Sequence, residues 1–117
     1  MRKNTKFLLD AIKKWENIID NNGYDWGAMN CPLCKEYRKN YVNHDCTNMY
    51  YRCDGCPVKE DTRRDGCGGT PYIKWNRHHE KYHYNLLDFK IKCDKCKELA
   101  IEELKYLIWL LVANRVI

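Results

Sequence analysis

Three pairs of cysteines, each pair split by two residues, are the side chains in this sequence best suited to chemistry. They are Cys31/Cys34 in CPLC, Cys53/Cys56 in CDGC and Cys93/Cys96 in CDKC, while Cys46 and Cys67 stand singly. Two intervening residues let the backbone turn tightly enough for both sulfurs to face one tetrahedral ion, at a Zn–S distance of about 2.3 Å. Pro32 and Gly55, inside two of the pairs, are turn formers. One CxxC alone would equally suit a redox dithiol. Repetition of the pair has the spacing of zinc ribbons and zinc fingers.

Eight cysteines fill two four-coordinate sites. The pairing that spacing favours puts Cys31, Cys34, Cys53 and Cys56 on one ion, which leaves Cys46, Cys67, Cys93 and Cys96 for a second. A rival second site joins Cys93 and Cys96 to His79 and His83, one turn apart on a helix. Cys46 or Cys67 is then a spare thiol or replaces a member of the first site. The plain alternative for any one cysteine is a buried free thiol, and it weighs more on the two single cysteines than on the pairs.

His79-Glu80-Lys81-Tyr82-His83 spells HExxH. On a helix, two histidines at that spacing hold zinc while the glutamate serves as general base of a metalloprotease. Glu98, Glu102 or Glu103 would have to complete such a site. The flanking residues Asn76, Arg77, His78, Lys81 and Tyr84 are those of a solvated face, and no substrate-binding sheet is legible. A polar helix face, with or without a structural metal, is the simpler reading. A His-Asn-His nuclease fits less well, because His79 and Asn85 leave no room for the intervening loop.

These residues need elements to position them. The chain has 117 residues, the length of one domain. Thr5 to Asn21 has an amphipathic stripe: Leu8, Ile12, Trp15 and Ile19 recur on one helical face, widened by Phe7, Ala11 and Ile18. Thr5 suits the N-cap and Asn22-Gly23 the stop. Tyr24 to Thr70 holds six of the eight cysteines, five of the six glycines and two of the three prolines. With few aliphatic residues, that stretch is either loop or organised by metal, apart from a short strand near Asn48 to Arg52. Thr70-Pro71 starts a second helix, expected to reach about Asp88. A third runs from about Asp94 to Asn114 and is apolar over more than half its circumference, so it is expected to be buried in its own core or in an oligomer interface. The expected fold is mainly α, or a small α+β: one zinc-stabilised domain with a helix over 1–23, a cysteine-rich zinc region over 24–70 and a helical hairpin over 71–117.

Charge and composition narrow the function. A net charge of +5 with 32% charged residues is mildly basic, less than a dedicated nucleic-acid arm carries. Asp10, Lys13, Lys14 and Glu16 interrupt any signal-like apolar run near the start, which predicts a cytoplasmic chain whose thiols stay reduced unless a metal takes them. The longest apolar run, Tyr106 to Ala113, is far short of the roughly 20 residues of a membrane span.

The runs WENIIDNNGYDWGAMNCPLCKEY, CDGCPVKE and CGGTPY resemble a group of small uncharacterised zinc-binding proteins of phages and prokaryotic genomes. The resemblance covers about Leu9 to Trp75. It implies ligand roles for Cys31, Cys34, Cys53, Cys56 and Cys67, is silent on Cys46, Cys93 and Cys96, implies a small phage-like accessory protein, and carries no activity over to this chain.

Two binding readings follow. In one, the protein docks on a larger protein or protein–nucleic-acid machine through its exposed aromatics and third helix, a surface that would also suit self-association. In the other it is a nucleic-acid module: Lys35, Arg38, Lys39, Arg52, Arg63 and Arg64 interleave with Tyr37, Tyr41, Tyr50 and Tyr51, cations for phosphate and rings for stacking. Asp45, Asp54, Glu60, Asp61 and Asp65 dilute that patch, and solvated loops around a zinc site would look the same.

Overall fold

The computed structural model describes residues 3–42, 49–83 and 89–116. The chain is mainly helical. In order, α1 (Lys3–Asp20) is followed by a single 3-10 turn (Gly27–Met29), then α2 (Pro32–Tyr37) and a two-stranded hairpin of β1 (Lys39–Val42) and β2 (Met49–Arg52). Three helices complete it: α3 (Pro57–Thr62), α4 (Pro71–Tyr82) and α5 (Asp94–Val116).

The stripe on α1 is core. Leu8, Ala11, Ile12, Trp15 and Ile18 are buried, and Ile18 rather than Ile19 lies deepest at the C-terminal end. Thr5, read as an N-cap from the sequence, is a buried residue within the helix, which is already formed at Lys3. The expected stop is present with its roles exchanged. Asn22 takes the left-handed conformation (φ 58°), while Gly23 is required by a close approach: a Cβ there would lie 2.6 Å from Asn17 Nδ2. The Asn21 and Gly23 N–H groups both donate to the Asn17 carbonyl and close the turn.

Helix α5 is the element on which the others assemble. It packs against α1, α4 and α3. Leu99, Ala100, Leu107 and Leu110 face the α1 stripe and Trp75 of α4. Trp15 and Trp75 meet edge to face with ring centroids 5.1 Å apart, a geometry worth about 1 kcal/mol beyond the buried area.

The cysteine-rich region contains more regular structure than its composition announces. Two six-residue helices, α2 and α3, begin right after Cys31 and Cys56, each with proline at its first position, where a missing N–H costs nothing. Leu33, Tyr37 and Val58 bring these short helices onto the core. Strands β1 and β2 pair antiparallel from Lys39↔Arg52 to Val42↔Met49, so the expected strand near Asn48 to Arg52 has a partner that periodicity did not reveal.

Helix α4 ends earlier than Asp88. His83 is its C-cap (φ −131°, ψ 38°), its N–H still held by the His79 carbonyl. Thr70 stands at the N-cap position, but its hydroxyl donates to the Cys67 carbonyl instead of accepting from the helix. No helix among the described residues is long and apolar enough to cross a membrane.

Candidate metal centre

The last turn of α4 and the first turn of α5 converge on four donors: His78, His83, Cys93 and Cys96. Among the described residues, this is the one group of three or more potential ligands whose donor atoms all lie within 4.8 Å of one another. The two sulfurs are 3.5 Å apart. His78 Nε2 lies 3.3 Å from Cys93 Sγ, and His83 Nε2 lies 3.8 Å from Cys93 Sγ and 3.4 Å from Cys96 Sγ. A tetrahedral zinc ion with ordinary bond lengths needs sulfur–sulfur edges of about 3.8 Å and sulfur–nitrogen edges of about 3.5 Å. The four donors therefore already stand at the corners of a metal-sized tetrahedron, and the cluster can hold a metal ion.

Local structure explains how they meet. Cys93 and Cys96 sit on either side of the start of α5, and the Cys93 carbonyl accepts from the Lys97 N–H as the helix begins. His78 and His83 are five residues apart, which would splay them on a continuous helix. They converge because α4 stops at Tyr82 and His83 leaves helical geometry. Burial, then the neighbouring His79 ring, holds both imidazoles below their usual range, which favours the neutral, metal-binding form. Burial pushes the Cys96 thiol up.

His79, paired with His83 in the sequence reading, has a different place. It is fully buried, stacked on Phe89 with centroids 4.6 Å apart. Its Nδ1 lies 2.9 Å from the Trp75 carbonyl and its Nε2 2.8 Å from the Lys90 carbonyl. Both ring nitrogens lie at hydrogen-bond distance from a backbone carbonyl, which sets His79 apart from the four donors. His79 Nε2 also approaches Cys96 Sγ at 3.6 Å. The ring thus ties α4 to the segment that delivers Cys93, from just behind the donors, in the manner of the outer partners that orient metal ligands. Glu80 is exposed and accepts from Asn76 Nδ2 at 3.4 Å.

The other cysteines gather elsewhere. Cys31, Cys34, Cys53 and Cys67 line one cavity of about 260 Å³, with Lys14 and Glu103 among its walls. Cys56 is buried next to them, and burial pushes its thiol up. Cys31 Sγ accepts the Cys34 N–H at 3.4 Å. A hydrogen bond from the Cys34 thiol, with help from the Lys14 ammonium, pulls the Cys31 thiol down to about 6, while the same bond and burial push Cys34 up. Cys46 lies outside the described residues.

So the structure separates the expected ligands: four cysteines line the cavity with Cys56 beside it, and two others join a pair of histidines. The grouping of Cys67 with Cys93 and Cys96 does not occur, because Cys67 immediately precedes α4 and opens onto the cavity, whereas Cys93 and Cys96 meet that helix at its far end. His78 escaped sequence reasoning, since the helix was expected to continue; only the triple occurrence of histidine in HHEKYH hinted at it.

Asp25 holds these parts together. Its buried carboxylate accepts from Lys14 Nζ (2.7 Å), the Gly27 N–H (3.0 Å), the Tyr72 hydroxyl (2.9 Å) and Trp75 Nε1 (3.1 Å). Its backbone exchanges two hydrogen bonds with Phe89, the residue under His79.

Compared with family models, with curated proteins and with solved structures, the chain matches none of them.

Proposed function

We propose that this protein is a non-enzymatic, zinc-stabilised binding protein that docks on a larger protein machine, as a phage-type accessory or inhibitor factor would. One observation carries the non-enzymatic reading: His78, His83, Cys93 and Cys96 form a closed set of four protein donors. Catalytic zinc keeps a position open for water or substrate, whereas structural zinc is saturated by protein. Two thiolates and two imidazoles suit zinc among the common divalent ions. The placement of His79 and Glu80 supports the same reading over a metalloprotease, which needs both at the ion.

For docking, the C-terminal half of α5 leaves Ile108, Trp109 and Val112 exposed at 43%, 55% and 56%. An apolar, tryptophan-bearing helix face is the kind of surface that supplies the centre of a protein interface. Direct nucleic-acid binding is the second reading. It is favoured by the Arg38 guanidinium, which lies 4.1 Å over the exposed Tyr51 ring beside Lys39 and Arg52 on the hairpin.

The test is metal analysis of purified protein, followed by capture of partners from a native host with and without nuclease. Zinc bound to the chain and a protein partner that survives nuclease support the proposal. Binding to oligonucleotides that weakens steeply with salt would replace it by the second reading. Absence of zinc from folded protein would remove its basis.

A further inference from the structure

The cysteine-lined cavity is separate from the His/Cys centre. Cys31 and Cys34 enter it from the start of α2, Cys53 from the end of β2, and Cys67 from the loop before α4. Three sequence-distant segments are thereby drawn together at a place where the local sequence has few aliphatic residues to hold them. Cys31, Cys34, Cys53 and Cys67 all line this one cavity.

A second observation points to an occupant. Glu103 is 5% exposed and lines this cavity, and one of its carboxylate oxygens, Oε2, has no hydrogen-bond partner. A buried polar atom without a partner costs about 1–3 kcal/mol, and such atoms ordinarily mark a site that something else completes. The Lys14 ammonium on the opposite wall supplies positive charge where thiolates would concentrate negative charge.

We propose that this cavity is a second metal centre, in which Cys31, Cys34, Cys53 and Cys67 bind one zinc ion through four thiolates. Cys56 is the spare thiol, since it does not line the cavity. The four sulfurs are not gathered as tightly as the donors of the His/Cys centre. A change of one staggered χ1 well carries a cysteine sulfur by roughly 3 Å, enough to close the set on an ion. Lys14 offsets the excess charge of the tetrathiolate, and Glu103 in its protonated form donates from Oε2 to a ligand sulfur, the partner that this atom lacks. The centre joins α2, the hairpin and the α3–α4 loop, and so fixes the cysteine-rich half of the fold on α1 and α5.

X-ray absorption at the zinc edge, with metal counting on unmutated full-length protein, tests this without a variant that could fail to fold. Two zinc ions per chain with an averaged shell of three sulfurs and one nitrogen are expected, from one tetrathiolate and one Cys2His2 centre. One zinc with two sulfurs and two nitrogens would overturn the proposal while leaving the His/Cys centre standing. One zinc with sulfur alone would support the cavity site and sink the other. Visible absorption with acid-labile sulfide would mean an iron–sulfur cluster and overturn the single-ion assignment. In cobalt-loaded protein, Cys67→Ser should lower the thiolate-to-metal charge-transfer band by about one sixth, one of six thiolates, with Cys56→Ser leaving it unchanged. The reverse pattern would overturn the ligand set.

Discussion

The carboxylate of Asp25 accepts the indole N–H of Trp75 at 3.1 Å while its other oxygen holds Lys14 Nζ at 2.7 Å. A loop residue thereby joins α4 to α1, and its backbone pairing with Phe89 adds the segment that leads into α5. One buried acidic side chain thus ties together α1, α4 and the segment that leads into α5.

Asp25→Ala is therefore expected to cost about 3–5 kcal/mol, because it leaves an almost fully buried lysine without its counterion. Lys14→Met should cost less, since Asp25 would keep three donors. Denaturant unfolding of the two variants checks the order; equal losses would show that the ion pair, rather than the carboxylate hub, carries the energy.

Metal content should separate adjacent histidines. His78→Ala is expected to lose the ion of the His/Cys centre. His79→Leu should retain it in the folded fraction while lowering stability, because the ring's contacts to the Trp75 and Lys90 carbonyls are lost. Glu80→Gln should change neither metal content nor biological activity, because Glu80 is exposed and its role is a hydrogen bond to Asn76. Loss of activity in Glu80→Gln with zinc intact would restore the protease reading.

Acid should weaken the His/Cys centre. His78 and His83 titrate below their usual range in the fold, so in mildly acid solution the unfolded chain binds more protons than the folded one. Stability contributed at these positions is accordingly present above the unfolded histidine value of about 6.5 and declines as pH falls below it. Proton competition for the ligands acts in the same direction. Thermal melts from pH 8 down to pH 5 should show the zinc-dependent increment in Tm shrinking; an increment that holds constant would argue against imidazole ligands.

The two binding readings diverge in a pair of surface variants. Trp109→Lys should shift folding stability by no more than about 0.5 kcal/mol, as exposed substitutions do, yet abolish capture of the protein partner. Arg38→Ala should leave that capture intact. If Arg38→Ala instead removes binding and Trp109→Lys does not, the hairpin face is the functional surface and nucleic acid the ligand.

The sequence by itself determined the helices that carry strong periodicity and the local geometry of two CxxC pairs. Leu8, Ile12 and Trp15 can share a face only in a helix, and the Cys31/Cys34 and Cys93/Cys96 pairs each bring their residues together through short-range chain geometry alone. The tertiary structure decided which pairs meet which partners. No glycine or proline between Tyr72 and Lys92 announces that α4 stops at Tyr82, and that stop is what exchanges His79 for His78 at the metal centre. Nor could the sequence single out Asp25 or Glu103 among sixteen acidic residues. Their importance comes from burial among donors contributed by distant segments, and burial is a property of the packed chain, set by long-range contacts that residue type and spacing do not encode.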